Sequence, residues 1–175
     1  MKRGTTILDK KLLAREVRLR ARVWSNFYHF LGFGFGSGLS PFAPGTFGTL
    51  AAIPVYLMMI WYLPIWLYVT LTLFFLLGGV IICDKVSKDL QVHDFSGIVW
   101  DEIVGYLITM MFFPFSWSMV VIGFVMFRIF DIIKPWPINW LDRKVSGGLG
   151  IMLDDVLAGI FAWICLFIIY SLEII

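Results

Sequence analysis

Leu153 to Tyr170, LDDVLAGIFAWICLFIIY, decides how the whole chain is read: two adjacent carboxylates open a run that stays apolar to its end. A run of that length reads as a helix in a bilayer, and carboxylates at the edge of hydrocarbon are costly unless paired, hydrated or bound to a cation. The pattern recurs upstream. Asp101 and Glu102 follow Val99-Trp100 at the head of one apolar stretch, and Asp131 stands near the end of another, before Ile132-Ile133-Lys134-Pro135. Five acids in three such places make a functional site the default reading.

Composition agrees with a membrane chain of single-domain length: 175 residues, 60% hydrophobic, with a mean hydropathy of +0.89. Apolar segments run at about 47 to 63, 65 to 83, 103 to 115, 117 to 133 and 156 to 172. The first carries Pro54 and the third falls short of the roughly 20 residues a straight span prefers, so either can be kinked, tilted or partly re-entrant. The expected fold is all-α, a polytopic membrane helical bundle of four to five apolar segments. Neither strand-like alternation nor an internal repeat competes with it.

Charge is distributed unevenly. Residues 1 to 22 hold eight of the fourteen Lys and Arg, against Asp9 and Glu16, and the remainder is net acidic by four. This divides the chain into a basic N-terminal arm, 1 to 25, and a membrane domain, 26 to 175. Leu8, Leu12, Leu19 and Val23 stand at helical spacing, which suits an amphipathic helix on an anionic membrane surface; a solvated tail is the alternative. No apolar run directly follows the basic start, so no cleaved signal peptide is expected.

Short cytoplasmic loops retain Lys and Arg. With the amino terminus inside and five spans, the connections at 84 to 102 and 134 to 155 are cytoplasmic and hold Lys85, Lys88, Lys134, Arg143 and Lys144. The opposite connections, near Pro64 and from Pro114 to Ser118, hold no basic residue. The same topology gathers His93, Asp101, Glu102, Asp131, Asp142, Asp154 and Asp155 on one side, as a single cytoplasmic-face acidic site.

Adjacent helical residues diverge by about 100°, so Asp101 with Glu102, or Asp154 with Asp155, is not expected to share a face; each pair can offer one ligand and one outer partner. Oxygen ligands without a Cys or His cluster favour Mg²⁺ over Zn²⁺. Alternatively, Arg128, Asp131 and Lys134, at i, i+3 and i+6, form a structural ion-pair stripe. Gly34 to Thr46 (GFGSGLSPFAPGT) cannot be regular helix, and its N–H groups with Ser37, Ser40 and Thr46 can cradle a phosphate, or simply make a turn. Ser146-Gly147-Gly148-Leu149-Gly150 reads either as a close approach to a ligand or as a flexible connection. His93 can shuttle a proton or be incidental; Trp100, Trp136 and Trp140 mark interfacial depth. Cys83 and Cys165 read as packing residues. A Cys nucleophile with Arg six residues on, a D-x-D-x-T/V motif and a His-nucleophile motif set are all missing. Metal-activated water remains for phosphate chemistry.

Taken together, these blocks resemble the phosphatidylglycerophosphatase A family: Gly34 to Thr49, His93-Asp94, Ile98 to Gly105 (IVWDEIVG), Phe127 to Pro137 (FRIFDIIKPWP), Leu141-Asp142-Arg143 and Gly147 to Gly159 (GGLGIMLDDVLAG). They cover residues 30 to 160, in family order. The resemblance implies a multi-pass bacterial inner-membrane enzyme with its site facing the cytoplasm. It also implies Mg²⁺-dependent dephosphorylation of the membrane phospholipid phosphatidylglycerophosphate to phosphatidylglycerol, upstream of cardiolipin.

Joined to the residue chemistry, that gives Asp101, Asp131, Asp154 and Asp155 as the leading expected Mg²⁺ ligands, with Glu102 as a further ligand or the base that orients water. Lys134 and Arg143 offset phosphoryl charge, Ser37, Ser40 and Thr46 hold the headgroup, and His93 or a hydrated metal protonates the departing oxygen. A metal-dependent membrane phosphotransferase lacks its D-G-x-x-A-R signature here. A small ion-coupled transporter should instead spread its acids through the midplane. Nucleic acid is not among the expected partners, and oligomeric state is left open.

Overall fold

The computed structural model describes residues 7 to 92 and 95 to 173, and among them there is no strand. The helices are α1 (Ile7–Ser25), α2 (Phe27–Gly32), α3 (Pro44–Tyr62), α4 (Ile65–Leu90), α5 (Trp100–Thr109), α6 (Trp117–Ile133), α7 (Ile138–Lys144) and α8 (Gly147–Ser171), with a 3₁₀ turn at Gly34–Leu39. Three of them, α3, α4 and α8, are long and apolar enough to cross a membrane. Their outward faces carry Met58, Leu73, Phe74, Leu77, Ile81, Ile164 and Phe167, all exposed. A surface so apolar suits lipid.

The boundaries differ from the hydropathy segments for local reasons. Pro44 occupies the first turn of α3, where a missing N–H costs nothing, so α3 starts ahead of residue 47. Charged residues carry α4 past Cys83 to Leu90, with Lys88 Nζ 2.6 Å from Asp84 Oδ2 one turn away. The third segment shrinks to the ten residues of α5, because Phe112 takes a positive φ and Pro114 follows. At the other extreme, α8 begins at Gly147, not 156: the glycine cluster is its first turn. A Cβ on Gly148 would stand 2.6 Å from the Asp84 N–H, so the glycine serves helix–helix approach, not a flexible connection.

α8 is the central element and packs on α4, α5, α6 and α7. Its crossing with α5 is backbone-close: a Cβ on Gly159 would lie 2.5 Å from the Gly105 carbonyl oxygen, and Thr109 Oγ1 donates to the carbonyls of Gly105 and Gly159. Close approach of small residues is how helices associate where lipid is as apolar as leucine. Two buried tyrosine hydroxyls are satisfied across helices, Tyr68 donating to the Leu107 carbonyl at 2.7 Å and Tyr106 to the Val120 carbonyl at 3.1 Å.

The starts of α3, α5 and α8 and the ends of α4 and α6 meet at one end of the bundle. The described basic side chains of the membrane domain, Lys85, Lys88, Arg128, Lys134, Arg143 and Lys144, belong to that end. α1 docks there too, through fully buried Val23 and an Arg22 hydrogen bond to the Asp89 carbonyl. A buried His29 ties α2 to α4, its Nε2 3.2 Å from Asp89 Oδ2. Asp155 lies two turns further along α8 than Gly148, whose N–H is 3.4 Å from Asp84 Oδ1 where α4 turns polar. The acids are therefore recessed by about 10 Å toward the apolar middle of the bundle.

Candidate active site

At this recessed level α5 starts against α8, and Asp101, Glu102 and Asp155 each offer an oxygen within 4.8 Å of the others, all three residues buried. The first turn of α5 presents both of its acids to the same place, contrary to the expectation from helical divergence. Asp155 comes in from α8, and the longer Glu102 arm reaches around the turn to meet it. The other adjacent pair does separate as expected. Asp154 turns to Lys134, whose Nζ is 2.5 Å from Asp154 Oδ2 and 3.3 Å from Asp142 Oδ1 on α7.

Asp131 stands between the trio and Arg128. Arg128 Nη1 lies 2.5 Å from Asp131 Oδ2 and 4.0 Å from Glu102 Oε1, and the Asp131 carboxyl is in hydrogen-bonding contact with Asp155. The stripe of Arg128, Asp131 and Lys134 is thus an ion pair only in its first two members; Lys134 is drawn to α7 and α8. Two partly buried cations face five carboxylates. Burial and the Asp155 and Asp131 carboxylates push Glu102, at the head of α5 and outside the three long spans, well above the usual carboxylate range, against the pull of Asp101 and Arg128. Burial works against the Lys134 charge, but Asp154 and Asp142 outweigh it and hold its pKa above the usual lysine value.

The donor set fits a hard divalent cation. It is three carboxylate oxygens from two helices, with Glu102 Oε2 buried and without a hydrogen-bond partner among the described residues. A cation there would reverse the electrostatic strain on Glu102.

The Gly and Pro loop converges on the same place. A Cβ on Gly45 would stand 3.0 Å from Arg128 Nη1 and would also meet Glu102 Oε1, so only glycine admits the first turn of α3 this close. Ala43 precedes it at φ 44°, and Phe35 and Gly36 take positive φ inside the 3₁₀ turn, which makes the segment irregular as its composition predicts. Ser37 Oγ donates to the Gly34 carbonyl and Ser40 Oγ to the Phe42 carbonyl, each at 2.8 Å, so both hydroxyl protons are engaged within the loop. Thr46 sits in the first turn of α3 beside Gly45. Arg143 is exposed on α7, and His93 lies outside the described residues.

Sequence reasoning placed Arg128 only in a structural stripe. Its i, i+3 relation to Asp131 was visible, but its approach to Glu102 and Gly45 joins three helices and leaves no mark in local spacing. A cavity of about 700 Å³ between α1 and the end of α4 is lined by Arg18, Leu19, Arg22, Asp89, Leu90 and Phe95 among others and includes none of these acids. Cys83 is a packing residue beside the trio, its thiol 3.8 Å from the Met152 sulfur.

A sequence model described as phosphatidylglycerophosphatase A matches residues 30–170. A phosphatidylglycerophosphatase A of Escherichia coli is 48% identical over 158 residues, 90% of each chain. One of Haemophilus influenzae is 44% identical over 142 residues, covering 81% of this chain and 87% of that protein. A Bacteroides thetaiotaomicron protein with the provisional name phosphatidylinositol-3-phosphatase is 39% identical over 141 residues, 77% of this chain and 87% of its own. No solved structure matches the chain.

Proposed function

The chain belongs to the phosphatidylglycerophosphatase A family, and from that premise we propose that it hydrolyses the terminal phosphomonoester of phosphatidylglycerophosphate, giving phosphatidylglycerol and phosphate. We further propose that it does so in the bacterial inner membrane, at a cytoplasm-facing site that uses Mg²⁺. The observation that carries this reading is the convergence of Asp101, Glu102 and Asp155 at the bundle end that also holds the basic side chains. Positive residues retained on the cytoplasmic side support the orientation. Gathering at one end, not along the midplane, weighs against an ion-coupled transporter.

Asp101, Glu102 and Asp155 would hold the cation, with Asp131 and Asp154 as outer carboxylates that orient the trio and its neighbouring cations. When bound, Mg²⁺ supplies charge neutralisation at the phosphoryl oxygens and activates water. Glu102, with an oxygen not engaged in a hydrogen bond, is placed to accept the proton of an attacking water. Lys134 keeps Asp154 and Asp142 together across α7 and α8. Thr46, in the first turn of α3, can donate to the headgroup, while Ser37 and Ser40 shape the loop that brings Gly45 in. Arg143, exposed on α7, meets the headgroup region, and His93 serves as the acid for the leaving glycerol oxygen. The acyl chains stay beside the exposed apolar faces of the helices.

The decisive experiment measures phosphate release from phosphatidylglycerophosphate in mixed micelles by the purified protein, with and without chelator. Activity is expected with Mg²⁺, absent in chelator and restored on readdition. Undiminished turnover in excess chelator overturns the metal reading, and no release under any condition overturns the substrate.

A further inference from the structure

Among the described cations near the trio, Lys134 is committed to two carboxylates and Arg143 is exposed on a separate helix. Arg128 is placed differently. Its side chain is 14% exposed, its Nη1 is held by Asp131, and its Nε is buried without a hydrogen-bond partner among the described residues. The guanidinium also packs against the first turn of α3, where a Cβ on Gly45 would lie 3.0 and 3.2 Å from Nη1 and Nη2, so it meets bare backbone there, and Nη1 is 4.0 Å from Glu102 Oε1 of the trio.

A buried guanidinium with unused donors is costly to keep. An ion pair alone would be served by lysine, whereas the planar fork of arginine matches two phosphoryl oxygens at once. We propose that Arg128 is the residue that grips the transferring phosphoryl group, with Asp131 as the positioning residue that holds the guanidinium through an ion pair at Nη1, beside the trio. The inference rests on the phosphatase reading and adds to it the residue that recognises the phosphoryl group.

The test compares the parent protein with Arg128→Lys and Arg128→Ala, using inorganic phosphate as the probe. Arg128→Lys keeps the charge beside Asp131 and loses the fork. It should retain the parent's melting temperature, yet lower kcat/KM for phosphatidylglycerophosphate by about tenfold or more and weaken inhibition by inorganic phosphate by a similar factor. Added guanidinium ion should restore part of the activity of Arg128→Ala. Phosphate-induced thermal stabilisation, read without turnover, should fall in both variants. Parental kcat/KM and phosphate inhibition in Arg128→Lys overturn the proposal, as does a loss of activity with phosphate stabilisation unchanged. If the parent fails to hydrolyse the lipid, the substrate reading falls, while the phosphate stabilisation still decides the role of Arg128.

Discussion

Lys134 holds two carboxylates, and the structure predicts that its removal costs more than removal of either partner. Asp154 has a side chain only 8% exposed and a single cation on it, so Lys134→Met strands a buried charge, a loss of about 3 to 5 kcal/mol. Asp154→Asn leaves Lys134 with Asp142 at 3.3 Å, and the amide oxygen can still accept, so the loss should be only about 1.5 kcal/mol. The sign should then reverse in combination. In the Lys134→Met background, Asp154→Asn removes the stranded charge and should be neutral or stabilising, giving a coupling of about 1.5 to 3 kcal/mol. Unfolding of the four proteins in mixed micelles, with chelator present to exclude any cation, measures the cycle. A coupling below about 0.5 kcal/mol, or Asp154→Asn as costly as Lys134→Met, would refute the assignment of Asp154 to Lys134.

Two further predictions address the site and the fold. Asp155→Asn should raise the Mg²⁺ concentration needed for half-maximal phosphate release by more than about tenfold, and more than Asp154→Asn does, since Asp155 stands in the trio and Asp154 outside it; equal shifts in a Mg²⁺ titration would remove that distinction. Gly159→Ala puts a methyl 2.5 Å from the Gly105 carbonyl and should destabilise the α5–α8 crossing by about 1 to 3 kcal/mol, read as a lowered melting temperature in detergent.

The long helices were legible because hydropathy alone marks them, and the five acids because a carboxylate beside hydrocarbon is conspicuous. What was not legible lies in contacts between helices. Nothing local distinguishes Asp154 from Asp155, and only the approach of α7 and α6 assigns one to Lys134 and the other to the trio. Glycine misled in one place, since Gly147 to Gly150 reads as a close approach to a ligand or as a flexible connection until Val80 and Asp84 of α4 are seen against Gly148. It informed in another: the irregular loop ahead of α3 was expected from composition, but the reason for Gly45 is the pair of side chains, Glu102 and Arg128, that would fill its place. The shortness of α5 was visible as a segment too brief to span, and Phe112 with Pro114 supplies the stop.

The acids sit two helical turns inboard of the level where α4 turns polar and meets α8. For a lipid phosphatase this depth predicts a kinetic consequence: a phosphomonoester that reached them by sinking with its headgroup would arrive by lateral diffusion, its acyl chains staying in the leaflet. Occupancy then follows the mole fraction of substrate in the membrane plane and not its bulk concentration. At constant total lipid substrate, adding detergent should slow the reaction by dilution in two dimensions.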